Sequence, residues 1–288
     1  MDTEDRLSIP RPKRQVRTQV VRVERGVRSA TSDGVVGEEP LEIRVRAGAD
    51  RRTLGVTMRT PGNDFELVAG FLKAERVIGG RDDIGAIRYC TDPDVEEQQM
   101  YNIVTADLAL GALPPGVPSE RHFHSGSACG VCGKATLDEL SLDGYEALDS
   151  AVRVAPSVVY TLPDALLERQ ALFGATGGLH AAGLFDRAGR LAAVREDVGR
   201  HNALDKLLGW ALLEDITLED AIVMVSGRAG YEIAQKCLAS SVPVLCAVSA
   251  PSSLAVDLAT RFGITLIGFL RGERFNVYSG EQRVAVDG

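Results

Sequence analysis

The sequence predicts an α/β protein in which a mixed sheet with flanking helices follows a smaller N-terminal α+β domain. In the second half, the short apolar segments "AIVMVS", "VPVLCAVS" and "ITLIGFLR" alternate with helical patterns, which is typical of parallel strands joined by right-handed crossovers. In the first half, segments of alternating apolar and polar residues surround one amphipathic helix. A Pro-, Gly- and Ser-rich stretch separates the halves, so we predict one domain over residues 31–113, a loop-bearing segment over 114–153 and a second domain over 154–288.

The N-terminal elements follow from local patterns. Residues 1–30 carry eight basic side chains and little hydrophobic periodicity, which predicts a flexible basic tail. The alternation in "LEIRVRAG" and "RTLGVTMRT" around a turn with Gly and Asp predicts a β-hairpin. The following segment "NDFELVAGFLKAERV" predicts a helix with Asn63 or Asp64 as its N-cap. The segments "IGAIRYC" and "YNIVTADL" predict two further strands.

The second domain starts with a predicted amphipathic helix, "PDALLERQALF", that has Pro163 near its start. The segments "HAAGLFD" and "LAAVRED" predict a hairpin, and "HNALDKLLGWALLE" predicts a helix on which Asp205 and Lys206 would form a solvated charged face. Three apolar strands then alternate with the helical segments "GRAGYEIAQKCLAS" and "APSSLAVDLATRFG".

The bulk composition excludes several function classes. A formal net charge of −8 over 288 residues argues against a protein that binds nucleic acids or anionic membranes, because such partners require a basic surface. No signal-peptide pattern occurs, nor does any run of about 18 apolar residues that could span a membrane. Five cysteines are too few and too scattered for a secreted disulfide framework. We therefore expect a cytoplasmic protein that binds neither nucleic acid nor a membrane.

The three apolar strands run into the loops "SGRAG", "SAPSS" and "FLRGERF". Because parallel strands end at the same edge of a sheet, these loops must meet there, beside two helix N-termini. The polar and glycine residues that meet are Ser226, Gly227, Arg228, Ser249, Ser252, Ser253, Arg271 and Arg274. Arginines and unpaired backbone N–H groups favour an anion, most naturally phosphate. The alternative is that the serines and glycines only cap helices.

A second polar cluster lies in "TGGLH" and "REDVGRHNALDK". We expect His180 to be a hydrogen-bonded structural residue and Asp197 to serve a turn. The helix dipole disfavours cations at a helix start. The presence of Arg200, His201 and Asn202 there therefore favours contact with a cofactor or a dimer partner over acid–base chemistry.

The pair Cys129 and Cys132 in "SGSACGVCGK" has three interpretations. With His122 and His124 it could hold a structural zinc. It could be a redox pair, although thioredoxin-type pairs open a helix directly after a strand. It could also carry sulfur as a persulfide on an exposed thiolate, which Lys134 would stabilise. Spacing alone favours the metal.

Eight motifs in the same order make the chain similar to a known family. These are "EEPLEIRV", "MRTPGNDFELVAGFL", "CGVCGK", "TGGLHAA", "REDVGRHNALDK", "SGRAGYEIAQK", "VSAPSSLAV" and "FLRGERFNVYSG". The sequence resembles the formate dehydrogenase accessory sulfurtransferases, the FdhD/NarQ family. The resemblance implies a cytidine-deaminase-like sheet without the zinc site, and a homodimer.

The resemblance also implies a function. Such a protein accepts a persulfide from a cysteine desulfurase and transfers the sulfur to the molybdenum of bis(molybdopterin guanine dinucleotide), a bound substrate destined for formate dehydrogenase. Cys129 would carry the persulfide and Cys132 would assist. The alternative is a non-catalytic chaperone for the cofactor, with a structural zinc at the cysteine pair.

The cofactor-binding residues implied by the resemblance follow the last core strand: Phe269, Leu270, Arg271, Gly272, Glu273 and Arg274. Ser226, Arg228 and Ser249 from the neighbouring loops complete the expected cofactor-binding set. No tightly held metal is expected in the protein itself.

Overall fold

The computed structural model describes residues 10–115, 117 and 144–285, so the predicted cysteine pair lies outside the described residues. The strands are β1 Gln15–Glu24, β2 Val27–Val36, β3 Glu39–Ala47, β4 Asp50–Arg59, β5 Ile84–Tyr89, β6 Ile103–Leu108, β7 His180–Phe185, β8 Leu191–Asp197, β9 Ile222–Val225, β10 Val244–Ala247, β11 Thr265–Arg271 and β12 Arg274–Ser279. The α-helices are α1 Asp64–Ala74, α2 Pro156–Glu168, α3 Ala171–Thr176, α4 Arg200–Leu213, α5 Tyr231–Ala239 and α6 Ser253–Phe262. Among the described helices, none is long and apolar enough to cross a membrane.

The N-terminal domain is a four-stranded sheet in the order β4-β3-β6-β5 with α1 on one face. Alternation along β3 buries Leu41, Ile43 and Val45 and leaves the intervening side chains partly exposed, as expected for a sheet with one covered face. Leu67 and Leu72 of α1 pack against these residues. The predicted hairpin, helix and two strands are all confirmed.

The start of α1 differs in detail from the prediction. Asn63 occupies the N-cap position, but its backbone is left-handed with φ 58° and its side chain makes no cap hydrogen bond. The Asp64 carboxylate instead accepts hydrogen bonds from the Arg59 guanidinium at 3.1 Å, and both side chains are buried. A buried guanidinium requires a paired carboxylate, which explains why Asp64 serves Arg59 rather than the helix.

Residues 15–30 do not belong to a flexible tail, and that part of the prediction is wrong. Strands β1 and β2 form an antiparallel ribbon of ten residue pairs. The ribbon is anchored at its base, where Gly37 N donates to Arg14 O at 2.8 Å. Most of its side chains face solvent on both sides, so the strands lack the alternation by which sequence patterns identify a half-buried strand.

The C-terminal domain is a six-stranded mixed sheet in the order β12-β11-β10-β9-β7-β8. Strands β9, β10 and β11 are parallel, and β7 and β12 join them as antiparallel neighbours. Helices α4, α5 and α6 cover one face and α2 covers the other. The predicted mixed sheet with flanking helices is confirmed.

Helix α2 begins earlier than predicted and ends sooner. It begins at Pro156, continues through Pro163 and ends at Glu168; α3 then forms separately. A proline in the first turn is favourable, and Pro156 takes that position instead of Pro163. Proline inside a helix removes one backbone hydrogen bond, but the burial of Val159, Leu162 and Leu166 on one side of α2 offsets this cost.

The two domains meet where α1 crosses α4. Gly70 of α1 and Gly209 of α4 allow the two backbones to touch. A Cβ at Gly209 would lie 1.8 Å from Glu66 O, and a Cβ at Gly70 would lie 2.0 Å from Asp205 O. Neither distance is possible for a real side chain, so only glycine permits this packing.

We predict that Gly209→Ala lowers the free energy of unfolding by about 2–3 kcal/mol, because the added methyl group forces the two helices apart. Urea denaturation measures the change. Gly174→Ala in α3 is the matched control, because a Cβ there meets no atom within 4 Å. The control should be more stable by about 0.5–1 kcal/mol through helix propensity. Equal effects of the two substitutions would contradict the close helix crossing.

Candidate anion-binding site

The carboxyl ends of β9, β10 and β11 bring three loops together, as the parallel strands required. Their backbones are joined by hydrogen bonds from Phe269 N to Ser249 O at 3.2 Å and from Ser252 N to Ala229 O at 3.0 Å. We call this edge of the sheet the rim and define it by residues 226–230, 249–252 and 269–274. The predicted convergence of the three loops is therefore present.

Three arginines of the rim are exposed: Arg228, Arg271 and Arg274. The last two are direct cross-strand partners, because β12 turns back beside β11 through Gly272 and Glu273. Gly272 has φ 52°, which glycine adopts without strain. The sequence pattern predicted a loop here and did not indicate β12, whose antiparallel return places Arg271 and Arg274 opposite each other.

The serines of the rim have different roles. The Ser226 hydroxyl accepts a hydrogen bond from Ala181 N at 2.9 Å, and Ser252 caps α6 by accepting one from Ala255 N at 3.3 Å. The capping alternative therefore holds for Ser252. Ser249 is partly buried, and its carbonyl binds the backbone of Phe269.

Phe269 and Leu270 differ sharply in exposure. Leu270 is 1% exposed and belongs to the apolar core beneath α2, so only its backbone can face a ligand at the rim. Phe269 is 39% exposed and has a left-handed backbone with φ 51°. Such a conformation costs a non-glycine residue about 1–2 kcal/mol. Strained residues of this kind concentrate at binding sites.

His180 and Arg200 lie beside the rim. Because β7 is antiparallel to β9, its first residue, His180, lies at the same edge as the end of β9. A Cβ at Gly227 would lie 3.4 Å from His180 Nδ1 and 3.7 Å from Arg200 Cδ. Burial and then Arg200 lower the pKa of His180. The sequence showed these residues as a polar cluster but could not locate them without the strand order.

His201 is a neutral imidazole at the start of α4. Burial, followed by the charges of Lys236 and Arg200, lowers its pKa to about 3. Glu232 Oε2 lies 3.5 Å from Nε2 and favours the protonated form, but burial and two cations outweigh this one carboxylate.

Helices α4 and α5 both begin at the rim with a glycine at the N-cap, Gly199 and Gly230, and neither helix has a side-chain cap. Helix N-termini carry partial positive charge and favour anions. Together with the exposed arginines, they make the rim suitable for phosphate groups.

The motif "REDVGRHNALDK" ties the rim to the N-terminal domain through a buried carboxylate. Asp197 lies 2.7 Å from Lys206 Nζ and accepts a hydrogen bond from Thr60 N at 3.0 Å. Asn202 Nδ2 donates to Asp197 Oδ1 at 3.1 Å and to Met58 O at 2.7 Å. Asp197 thus serves its turn and also joins the domains.

The expectation of a solvated face for Asp205 and Lys206 is wrong. Both side chains are buried. Asp205 pairs with Lys236 Nζ at 2.8 Å, and Lys206 donates to Thr60 O at 2.7 Å. Their spacing along the helix resembled a surface pattern because the partners that bury them come from elements distant in sequence.

Two cysteines inside the described residues are poor nucleophiles. Cys237 and Cys246 are fully buried, and burial raises both pKa values, that of Cys237 to about 12. Such thiols carry almost no thiolate. Cys129 and Cys132, and the histidines of the zinc alternative, lie outside the described residues. Within the described ranges, no group of three His, Cys, Asp or Glu residues could hold a metal ion.

We predict that His201 destabilises the folded protein as the pH falls below 6.5. In the unfolded chain the His201 imidazole binds a proton near its ordinary pKa of 6.5, whereas in the folded chain it stays neutral down to about pH 3. The stability that its burial leaves intact above pH 6.5 therefore declines between pH 6.5 and pH 3. Between pH 7 and 5, His201 should account for about 2 kcal/mol. Urea titrations of wild type and His201→Gln test this. A wild-type protein that becomes more stable relative to the variant as the pH falls would show that Glu232 controls the imidazole instead.

Comparison with known proteins agrees with this architecture. A family model described as the FdhD/NarQ family matches residues 36–285. The chain is 48% identical over 273 residues to the sulfur carrier protein FdhD of Streptomyces avermitilis, covering 94% of this chain and 95% of that one. It is 43% identical to the sulfur carrier protein FdhD of Sulfurisphaera tokodaii, covering 93% and 98% of the two chains.

A solved structure has the same fold. The crystal structure of a protein from Desulfotalea psychrophila, assigned as a formate dehydrogenase accessory protein, superposes with a TM-score of 0.75 at 26% identity, covering 95% of this chain and all of that one. On these matches, which span nearly the whole sequence, the chain belongs to the FdhD/NarQ family.

Proposed function

We propose that this protein is a sulfur carrier of the cytoplasm. It accepts a persulfide from a cysteine desulfurase and transfers the sulfur to the molybdenum of bis(molybdopterin guanine dinucleotide), the cofactor that formate dehydrogenase then receives. The observation that carries the proposal is the rim, where exposed arginines and two helix N-termini with glycine N-caps meet at one sheet edge in a chain of net charge −8. The names of the related proteins support the sulfur-carrying role.

The rim suits a guanine dinucleotide chemically. Arg271 and Arg274, adjacent across the β11–β12 hairpin, offer bidentate donors to a pyrophosphate. The exposed ring of Phe269 gives a face on which a base stacks. The Glu273 carboxylate can accept hydrogen bonds from the N–H groups of guanine. Backbone N–H groups of α5 and the exposed Arg228 complete the anion site.

The sulfur chemistry requires one nucleophilic thiolate, and we assign it to Cys129. Its thiolate attacks the terminal sulfur of the desulfurase persulfide, a new S–S bond forms, and the desulfurase thiolate leaves. Delivery to molybdenum breaks that S–S bond and regenerates the Cys129 thiolate, with the two electrons coming from the metal of the substrate. The buried thiols of Cys237 and Cys246 cannot take this role. Cys132 assists.

We predict that incubation with a cysteine desulfurase and free cysteine adds about 32 Da, one sulfur atom, to the intact protein. Cys129→Ala should abolish the gain, and Cys90→Ser, which changes a buried thiol, should retain it. Mass spectrometry together with metal analysis measures the outcome. Stoichiometric zinc with thiols that do not react would favour the chaperone with a structural zinc and reject the carrier.

We predict that Arg271→Ala and Arg274→Ala each weaken GDP binding by about tenfold or more, because each removes a charge-assisted hydrogen bond. Persulfide formation should continue in both. Arg190→Ala is the matched control, since Arg190 lies in the turn at the opposite edge of the same sheet and pairs with Asp186. Calorimetric titration of GDP gives the affinities. If the rim variants and the control bind GDP equally, the rim assignment is wrong.

We further propose that the protein acts as a homodimer assembled through the β1–β2 ribbon. Val21, Val23 and Val27 are exposed near its turn, Val27 at 70%. A two-stranded ribbon is marginally stable alone, and exposed apolar patches of this kind mark interaction sites. A second copy of the chain would cover these valines.

For the dimer, we predict that the double variant Val21→Asp/Val23→Asp sediments as a monomer, because charges on the ribbon prevent its burial. Ile216→Asp, which changes an exposed apolar residue after α4, should leave the dimer intact. Analytical ultracentrifugation distinguishes the two masses. A wild-type monomer, or a dimer that survives the double substitution, would reject the ribbon as the interface.

A further inference from the structure

The outer face of the N-terminal sheet carries an unusual concentration of arginines. On β3 the buried residues Ile43 and Val45 alternate with Arg44 and Arg46, which point away from α1 and the core. The neighbouring strands contribute further basic side chains at the same level. An open cleft of about 310 Å³ results, and five arginines line it: Arg44, Arg46, Arg51, Arg52 and Arg88.

The strand register explains why these side chains meet. Arg44 lies opposite Thr53 of β4 and Thr105 of β6, and Arg88 of β5 also lies opposite Thr105. In the next row, Arg46 lies directly opposite Arg51. Two guanidinium groups and two hydroxyls therefore share one row, and two more guanidinium groups share the next.

The cleft is only partly neutralised. Glu42 accepts a hydrogen bond from Arg44 Nε at 2.7 Å, and Asp107 is shared between Arg46, at 2.6 Å, and Arg88. Among the described residues, no carboxylate lies within salt-bridge distance of Arg51, and Arg52 donates to the carbonyl of Val117. Because Arg52 lies opposite Val45, which faces the core, two carboxylates face the four remaining guanidinium groups of the outer face.

Like charges directly opposite each other on neighbouring strands destabilise a sheet. The Arg46–Arg51 pair is such an arrangement, and the charges of Arg46 and Arg51 add to burial in lowering the pKa of Arg88. The fold tolerates this repulsion in a chain that is acidic overall. A bound anion would remove the repulsion.

We infer that this cleft is a second anion-binding site, separate from the rim, which binds a phosphate-bearing small molecule through the guanidinium groups of Arg46, Arg51 and their neighbours. Arginine forks match phosphate oxygens, and the Thr105 hydroxyl can donate to the same group. The volume is at the lower end of small-molecule pockets. An acidic protein partner fits less well, because interfaces rely on aromatic anchors and the described lining has none.

The test uses the full chain carrying Arg228→Ala, Arg271→Ala and Arg274→Ala, so that the rim arginines do not contribute, with inorganic pyrophosphate as the probe. We expect one equivalent of pyrophosphate to bind by calorimetry. Adding Arg46→Gln or Arg51→Gln should weaken pyrophosphate binding about tenfold or more. Arg190→Gln is the control: Arg190 pairs with Asp186 in another part of the molecule, so this substitution should leave the affinity unchanged. Thermal unfolding checks that each variant is folded.

Either of two results in the pyrophosphate titrations would overturn the inference. One is that pyrophosphate fails to bind the rim-deficient protein. The other is that the Arg46→Gln, Arg51→Gln and Arg190→Gln variants bind it equally. If a glutamate-rich peptide binds and pyrophosphate does not displace it, the cleft recognises an acidic protein and the small-molecule assignment is wrong. None of these results bears on the rim, because the rim arginines are absent throughout.

Discussion

The buried carboxylate of Asp197 is the interaction on which the arrangement of the site depends. It is the last residue of β8, three positions before α4, and it is held by Lys206 and by the backbone N–H of Thr60 in the other domain. Because a buried charge that loses its partner is strongly destabilising, the carboxylate fixes both the domain contact and the start of α4. His201 and the N-terminus of α4 lie beside the rim as a result.

The two proposed roles, anion binding and sulfur transfer, belong to two different regions of the chain. The parallel strands of the C-terminal domain provide a rigid edge for the proposed anion site, and rigid elements position binding groups more accurately than loops do. The proposed sulfur-bearing residue, Cys129, belongs to the segment between the two domains. The core keeps its own thiols, Cys237 and Cys246, buried and protonated, so they do not compete for the persulfide.

Much of the fold and part of the site could be predicted from sequence because local patterns determine them. The alternation of apolar strands and helices was enough to bring Ser226, Ser249 and Arg271 to one edge. His180 could not be placed, since its position depends on β7 lying antiparallel beside β9. The strained backbone of Phe269 and the burial of Lys206 depend on contacts distant in sequence. The β1–β2 ribbon escaped prediction because it buries neither face.

The central claim is that sulfur carried at Cys129 reaches a cofactor held at the rim. The most direct measurement is a single-turnover transfer, in which protein preloaded with radioactive persulfide sulfur is mixed with bis(molybdopterin guanine dinucleotide) and cofactor-free formate dehydrogenase. We expect wild type to deliver labelled sulfur and restore activity, and Arg271→Ala/Arg274→Ala to keep its labelled persulfide and deliver almost none. Delivery at the wild-type rate by this double variant would contradict the account.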